Sequence, residues 1–175
     1  MSARKIVPTG RETFFDNNDI IVSKTDLKGR ITYANKTFCQ IAGYTEREVV
    51  GQPHSLIRHP DMPRAVFKLL WDTLQDGREL FAYVKNMAKN GDHYWVFAHV
   101  TPSYDAAGKL SGYHSNRRVC DRRILEGTIV PFYAELLREE QRHKNGKEAL
   151  AAGCSVLESF VRSRDMGYDQ LVFSL

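Results

Sequence analysis

The sequence predicts an α+β domain: one five-stranded antiparallel sheet with helices on one face, followed by a C-terminal helical extension. Three observations predict it. Strand-like stretches fall as a pair near the start and a group of three later, with short helical patterns between them. Turn chemistry closes a hairpin at each end. The strand–helix–strand rhythm that builds a parallel sheet is missing.

Each element has a local reason. Residues 1–18 are polar and read as an arm or short cap. Ile20-Ile21-Val22 opens a strand that runs to about Thr25, and Asp26 to Arg30, with Gly29, is turn chemistry. Ile31 to Ala34 is the second strand. Asn35 can cap a short helix carrying Phe38 and Ile41, which ends at Gly43. Thr45 and Glu48 have capping-box spacing for another short helix that ends before Gly51. Val66, Leu69, Leu70 and Leu74 share a face of a longer helix that stops at Gly77. Phe81 to Asn86 and His93 to Tyr104 flank Asn90-Gly91, a hairpin signal, and Leu110 to Val119 completes the meander. From Leu125 the pattern is helical: Ile129, Phe132, Tyr133 and Leu136 share one face, and Leu150, Cys154, Leu157 and Val161 another. The expected division is an arm over 1–18, a sheet domain over 19–121 and an extension over 122–175.

Composition narrows the function. The chain of 175 residues can bury a real core, and 42% hydrophobic with 26% charged residues is ordinary for a soluble globular protein. A net charge of +4 with scattered basic residues is no nucleic-acid footprint. No apolar run approaches a membrane span, and the first residues lack a hydrophobic signal region. The three cysteines, Cys39, Cys120 and Cys154, are far apart and form no CxxC, which points to a reducing compartment, the cytoplasm. No HExxH pair suggests a zinc hydrolase.

The segment from Gly51 to Pro63, GQPHSLIRHPDMP, stands out. Its three prolines fix the backbone and so hold Arg58, His59 and Asp61 at defined positions. Such a loop either grips a polar ligand or is a helix start whose charges sit in water. Strand alternation favours an interior ligand. Along His93 to Val100 one face carries Tyr94, Val96, Ala98 and Val100, and the other His93, Trp95, Phe97 and His99. If the smaller set faces the helices, the interior has spare volume for a planar ring system. The same parity points Asn86 inward with Val84 and Ala82, where its amide needs partners. The outer aromatics Phe81, Tyr83, Trp95 and Phe97 then form an apolar patch that the C-terminal helix, the N-terminal arm or a second subunit must cover.

The chain resembles the flavin-binding PAS domains of bacterial aerotaxis receptors. The matching stretches are SKTDL at Ser23 to Leu27, ITYANKTF at Ile31 to Phe38, GQPHSLIRHPDMP, and Lys85-Asn86 with KNGDHYW at Lys89 to Trp95, with a looser match at Gly112 to Arg117. The match spans roughly residues 20–120. Where relatives often carry a tryptophan after the Gly77 turn, this chain has Leu80-Phe81. The resemblance implies the PAS fold and noncovalent FAD as a reporter of oxygen or redox state.

Candidate FAD ligands follow. Arg58 suits the diphosphate through its charged fork. His59 would stack on or hydrogen-bond the cofactor, and Asp61 would accept from it or orient Arg58. Trp71 would stack on the adenine or serve as core. Ser23 would reach the ring, and Asn35 is either a second ligand or a helix cap. Arg117 would stabilise negative charge on reduced flavin. The expected protein is a non-enzymatic cytoplasmic redox sensor, a homodimer with a signalling partner. Its rivals are a haem gas sensor ligated through His59 or His114, a ligand-free interaction module, and a flavoenzyme. A light-sensing flavin domain is disfavoured, since no cysteine lies in the loop before the long helix and Cys39 is on an earlier one.

Overall fold

The computed structural model describes residues 6–175. Strands β1 (Ile21–Thr25) and β2 (Ile31–Ala34) form the first hairpin, whose turn is tied by Asp26: its Oδ1 accepts from the N–H groups of Lys28 and Arg30. Helix α1 (Lys36–Ala42) starts under Asn35, whose Oδ1 accepts from the Phe38 N–H at 2.9 Å. It stops at Gly43, which adopts the left-handed conformation with φ of 72°. Helix α2 (Glu46–Val49) begins where the Thr45 N–H donates to Glu48 Oε2. A tight 3₁₀ turn, His54–Ile57, follows Pro53, and α3 (Arg64–Gln75) follows Pro63.

Strands β3 (Leu80–Met87), β4 (His93–Tyr104) and β5 (Leu110–Arg118) make the meander. The strand order is β2-β1-β5-β4-β3, and every neighbouring pair is antiparallel. The last strand thus lies beside the first. That register sets Ser23 opposite Ser115 and Ile21 opposite Arg117. Residues from the two ends of the domain therefore meet on one patch.

The sheet divides two cores. On its inner face Tyr94, Val96, Ala98 and Val100 pack with Phe38, Ala42, Val49 and Ile57, as the period-two alternation predicts. On its outer face Tyr83, Phe81, Trp95 and Phe97 pack with the C-terminal helices. These are α4 (Arg122–Ile124), α5 (Val130–Gln141), α6 (Gly146–Arg162) and α7 (Tyr168–Ser174), so the extension supplies the cover that the outer aromatics require. Burying a large apolar side chain in this way contributes about 1.5–3 kcal/mol. Between α4 and α5 the residues Leu125–Ile129 form a π-helical turn, in which the Val130 N–H bonds to the Leu125 carbonyl five residues back. Pro131 explains it: proline lacks an N–H and its ring crowds the carbonyl four residues earlier.

The arm is anchored where it is described; residues 1–5 of that expectation lie outside the described residues. Thr9 and Thr13 donate their N–H groups to the carbonyls of Gly91 and His93, and the His93 N–H donates to the Arg11 carbonyl. Gly91 has φ of 92°, and a Cβ there would lie 2.2 Å from the Val7 carbonyl oxygen. Glycine at that position serves both the turn and the passage of the arm.

Candidate functional site

A cavity of about 300 Å³ opens between the inner face of the sheet and α3. That is the low end of the range for ligand clefts. Its walls are Val84, Ala98 and Val100 from the sheet and Leu70 and Leu74 from α3. The volume exists because strand positions facing α3 carry small or branched side chains while the aromatics point outward.

The deep end is polar. Arg117 is 3% exposed, and among the described residues no carboxylate pairs with it. Its Nη2 donates to Ser23 Oγ at 2.8 Å and to His54 Nε2 at 2.6 Å. A guanidinium only donates, so His54 Nε2 accepts and the imidazole carries its proton on Nδ1. The protonation is consistent with the surroundings: burial, then the Arg117 charge, push the His54 pKa down to about 3. Burial likewise lowers Arg117, to about 10. Among the described residues, Arg117 Nη1 and Ser115 Oγ here, and Asn86 Nδ2 on β3 farther along the cavity, are buried without a hydrogen-bond partner. Such atoms are rare in protein interiors and mark a place where something else completes the bonding.

Toward solvent the lining changes to Lys28, Ser55, Arg58, Phe67 and Trp71. Arg58 holds its place by three contacts. Its backbone bridges to Asn86 on the free edge of β3, its Nη2 donates to the Met62 carbonyl at 3.2 Å, and its guanidinium lies 4.2 Å from the centre of the Phe67 ring. Trp71 stands edge-on to Tyr113 at 5.4 Å. A Cβ at Gly29 would come 3.2 Å from the indole, so the β1–β2 turn approaches it closely.

Of the residues expected to touch a ligand, Ser23, Arg58, Trp71, Asn86 and Arg117 line this one cavity. His59, Asp61 and Asn35 do not. His59 is buried with its ring edge-on to His93 at 5.7 Å, and its Nδ1 accepts from the Asp61 N–H at 3.1 Å. Burial and Lys85 push its pKa down to about 4. Asp61 faces outward and pairs with Lys85 Nζ at 2.8 Å. Asn35 spends its amide on backbone: Oδ1 accepts from Val22 and Phe38, and Nδ2 donates to the Ile20 carbonyl. Capping is the role its contacts display. His54 and Ser115 line the cavity without having been singled out. Ser115 shares the strand parity of Arg117, a readable signal. His54 is turned inward by the 3₁₀ turn, which no periodicity announces.

The same geometry bears on the rivals. Neither His59 nor His114 lines the cavity, and His54 Nε2 is engaged by Arg117. No cysteine lines it either.

Comparison with known proteins agrees with this architecture. A family model described as the PAS fold matches residues 31–116. The aerotaxis receptor of Escherichia coli strain K12 is 46% identical over 129 residues, 73% of this chain and 25% of that protein. The chain belongs to the PAS-fold family. Its PAS domain is of the aerotaxis-receptor kind. A nitrogen fixation regulatory protein of Klebsiella pneumoniae is 29% identical over 106 residues, covering 61% of this chain and 21% of that protein. Among solved structures, the PAS domain of a Colwellia psychrerythraea protein superposes with a TM-score of 0.54 at 20% identity, over 59% of this chain and 88% of that one. This last likeness is one of fold. The chain spans about a quarter or less of the length of these curated relatives. No helix among the described residues is long and apolar enough to cross a membrane.

Proposed function

We propose that this PAS domain is an FAD-binding redox sensor of the aerotaxis type, acting in the bacterial cytoplasm and passing its state to a signalling protein. One observation carries the reading. Arg117 is buried in the wall of the cavity, and among the described residues no carboxylate balances it. A buried charge without a counter-charge is costly, and an electron-rich ligand offsets that cost. Ser115, two residues away on β5, and Asn86, on β3 elsewhere along the same cavity, add unpaired polar atoms. Flavin, when bound, supplies reversible electron transfer and a ring edge whose charge and hydrogen-bonding demands change with redox state.

The chain's own residues would do the rest. Arg117 would hold its charge against an anionic edge, steadied by Ser23 and His54. Asn86 would present either its donor or its acceptor by turning its amide. Arg58 and Lys28, toward solvent, would hold the diphosphate, and Trp71 would stack with the adenine. These outer groups favour the dinucleotide over the mononucleotide. The reading is of a sensor without turnover, since the one histidine in the cavity is held neutral and hydrogen-bonded to Arg117. A homodimer would have to use a surface other than Trp95 and Phe97, which the C-terminal helices cover.

The test is the absorption spectrum of the purified protein, followed by chromatography of the released cofactor. Flavin bands and released FAD support the reading. FMN, a haem Soret band or no chromophore would sink it.

A further inference from the structure

Helix α3 is capped from outside its own segment. Pro63 stands at its start and offers no acceptor, and its first turn has no acidic residue. A helix N-terminus presents unsatisfied N–H groups and a partial positive charge, both of which a carboxylate satisfies. Here the carboxylate is Glu140, in the last turn of α5. Its Oε2 accepts from the Arg64 N–H at 3.0 Å and its Oε1 from the Ala65 N–H at 2.9 Å. Glu140 is only 7% exposed.

Helix α6 is shaped around this contact. A Cβ at Gly153 would lie 2.7 Å from Glu140 Oε1 and 2.8 Å from its Cγ. Arg64 adds a second tie, since its Nη1 donates to the carbonyl of Gly146, the first residue of α6. Three helices therefore interlock at one buried carboxylate.

The position of that lock matters. Six residues before the capped start of α3 is Arg58, and the α3 helix itself supplies Leu70, Trp71 and Leu74 to the cavity wall. Arg58 is joined to the same loop through the Met62 carbonyl, and the Glu140 charge opposes the lowering of its pKa by burial. Glu140 does not line the cavity, so it acts on a ligand only by positioning these groups.

We propose that Glu140 couples ligand binding in the PAS cavity to docking of the C-terminal helices α5 and α6. Docking orders the Arg58–Ala65 segment and raises affinity; a bound ligand in turn holds the two helices down. The two effects are equal in size because coupling between two equilibria is reciprocal. The choice of FAD as probe rests on the flavin reading above.

Two variants approach the lock from opposite sides. Glu140→Gln keeps the shape but sets an amide donor against a helix N–H. Gly153→Ala keeps the carboxylate and displaces it. In each, the dissociation constant for FAD is expected to rise about tenfold, within the usual range of coupling between sites. Hydrogen exchange in the segment from 61 to 66 should quicken in flavin-free protein. In the wild type, FAD should slow proteolysis at the turn between α5 and α6, and the variants should lose that protection. Glu139→Gln, on the neighbouring half-exposed Glu139–Arg142 pair, should leave all three readings unchanged. Wild-type protein that takes up no FAD contradicts the flavin reading. Wild-type protein that binds FAD without protecting the turn, or variants that bind it as tightly, overturns the coupling.

Discussion

Arg117→Met should change the stability of the flavin-free protein little while weakening its hold on flavin. Burial moves the Arg117 pKa from 12.5 to about 10. At about 1.4 kcal/mol per unit, keeping this charge inside costs the fold about 3 kcal/mol. Against that stand two charge-assisted hydrogen bonds to Ser23 Oγ and His54 Nε2, each contributing about 1.5–3 kcal/mol. Those two acceptors lie 3.2 Å apart and can bond to each other once the guanidinium is gone. Methionine is unbranched and carries no charge. The expected balance is near zero, a change within about 2 kcal/mol, or a shift in Tm within about 8 °C for a chain of this size. Binding should fall. Losing a charge-assisted hydrogen bond to the ligand costs about 1.5–3 kcal/mol, a dissociation constant about 10- to 150-fold higher. Urea unfolding of flavin-stripped protein, run beside a fluorescence titration with FAD, reads both quantities. A loss of stability with unchanged affinity would refute the reasoning and make Arg117 a structural residue.

Two further outcomes are expected. Asn86→Ala should leave the fold intact and raise the dissociation constant for FAD about five- to 150-fold, the equivalent of one lost buried partner at about 1–3 kcal/mol; unchanged flavin occupancy would show that Asn86 is structural. Acidification should destabilise the protein through His54 and His59, whose folded pKa values, lowered chiefly by burial to about 3 and about 4, lie below the ordinary 6.5. Below pH 6.5 the unfolded chain binds protons that the folded chain refuses, so stability falls as pH drops toward these values. Between pH 7 and pH 5 the loss should be about 2 kcal/mol for each of these two histidines in urea unfolding, and His54→Phe should remove one such share, the burial-lowered His93 and His114 adding to the slope in the same direction. A flat profile would show that neither imidazole is held neutral.

Legibility in the sequence followed the kind of constraint. Regular elements announced themselves through period and caps. The alternation from Tyr94 to Val100 set which face holds the cavity, and Asn35, Gly43 and Gly77 marked helix ends that the structure places there. Asn86 was legible for the same reason, through its period-two parity with Val84 and Ala82, whereas Arg117 came from the family resemblance and Ser23 from its place on the first strand. The loop from Gly51 to Pro63 was legible as important but not in detail. Its backbone is irregular, so nothing in the spacing says that His54 and Arg58 face the cavity while His59 and Asp61 turn toward His93 and Lys85. The Glu140 cap was not legible at all. It joins residues 75 and 76 positions apart, and only the packing of α3, α5 and α6 brings them together. Pro131 was visible in a helical pattern, but its answer, a widened turn rather than a break, depends on how Leu125 and Ile129 seat against the sheet.

The redox-sensor account is tested most directly by hydrogen exchange on oxidised protein and on protein reduced with dithionite. Asn86 sits on β3, whose Tyr83 packs against the C-terminal helices, and Arg117 sits on β5, paired with β4, whose Trp95 and Phe97 do the same. Tyr133 of α5 also donates its hydroxyl to the Tyr83 carbonyl at 2.7 Å, three residues from Asn86. A change of bonding inside can therefore bias packing outside. Reduction is predicted to alter exchange both around the cavity and across residues 125–137, and Arg117→Met to blunt the distant change in whatever flavin-loaded fraction remains. Altered protection beside the cavity alone, with residues 125–137 indifferent to reduction, would contradict the account.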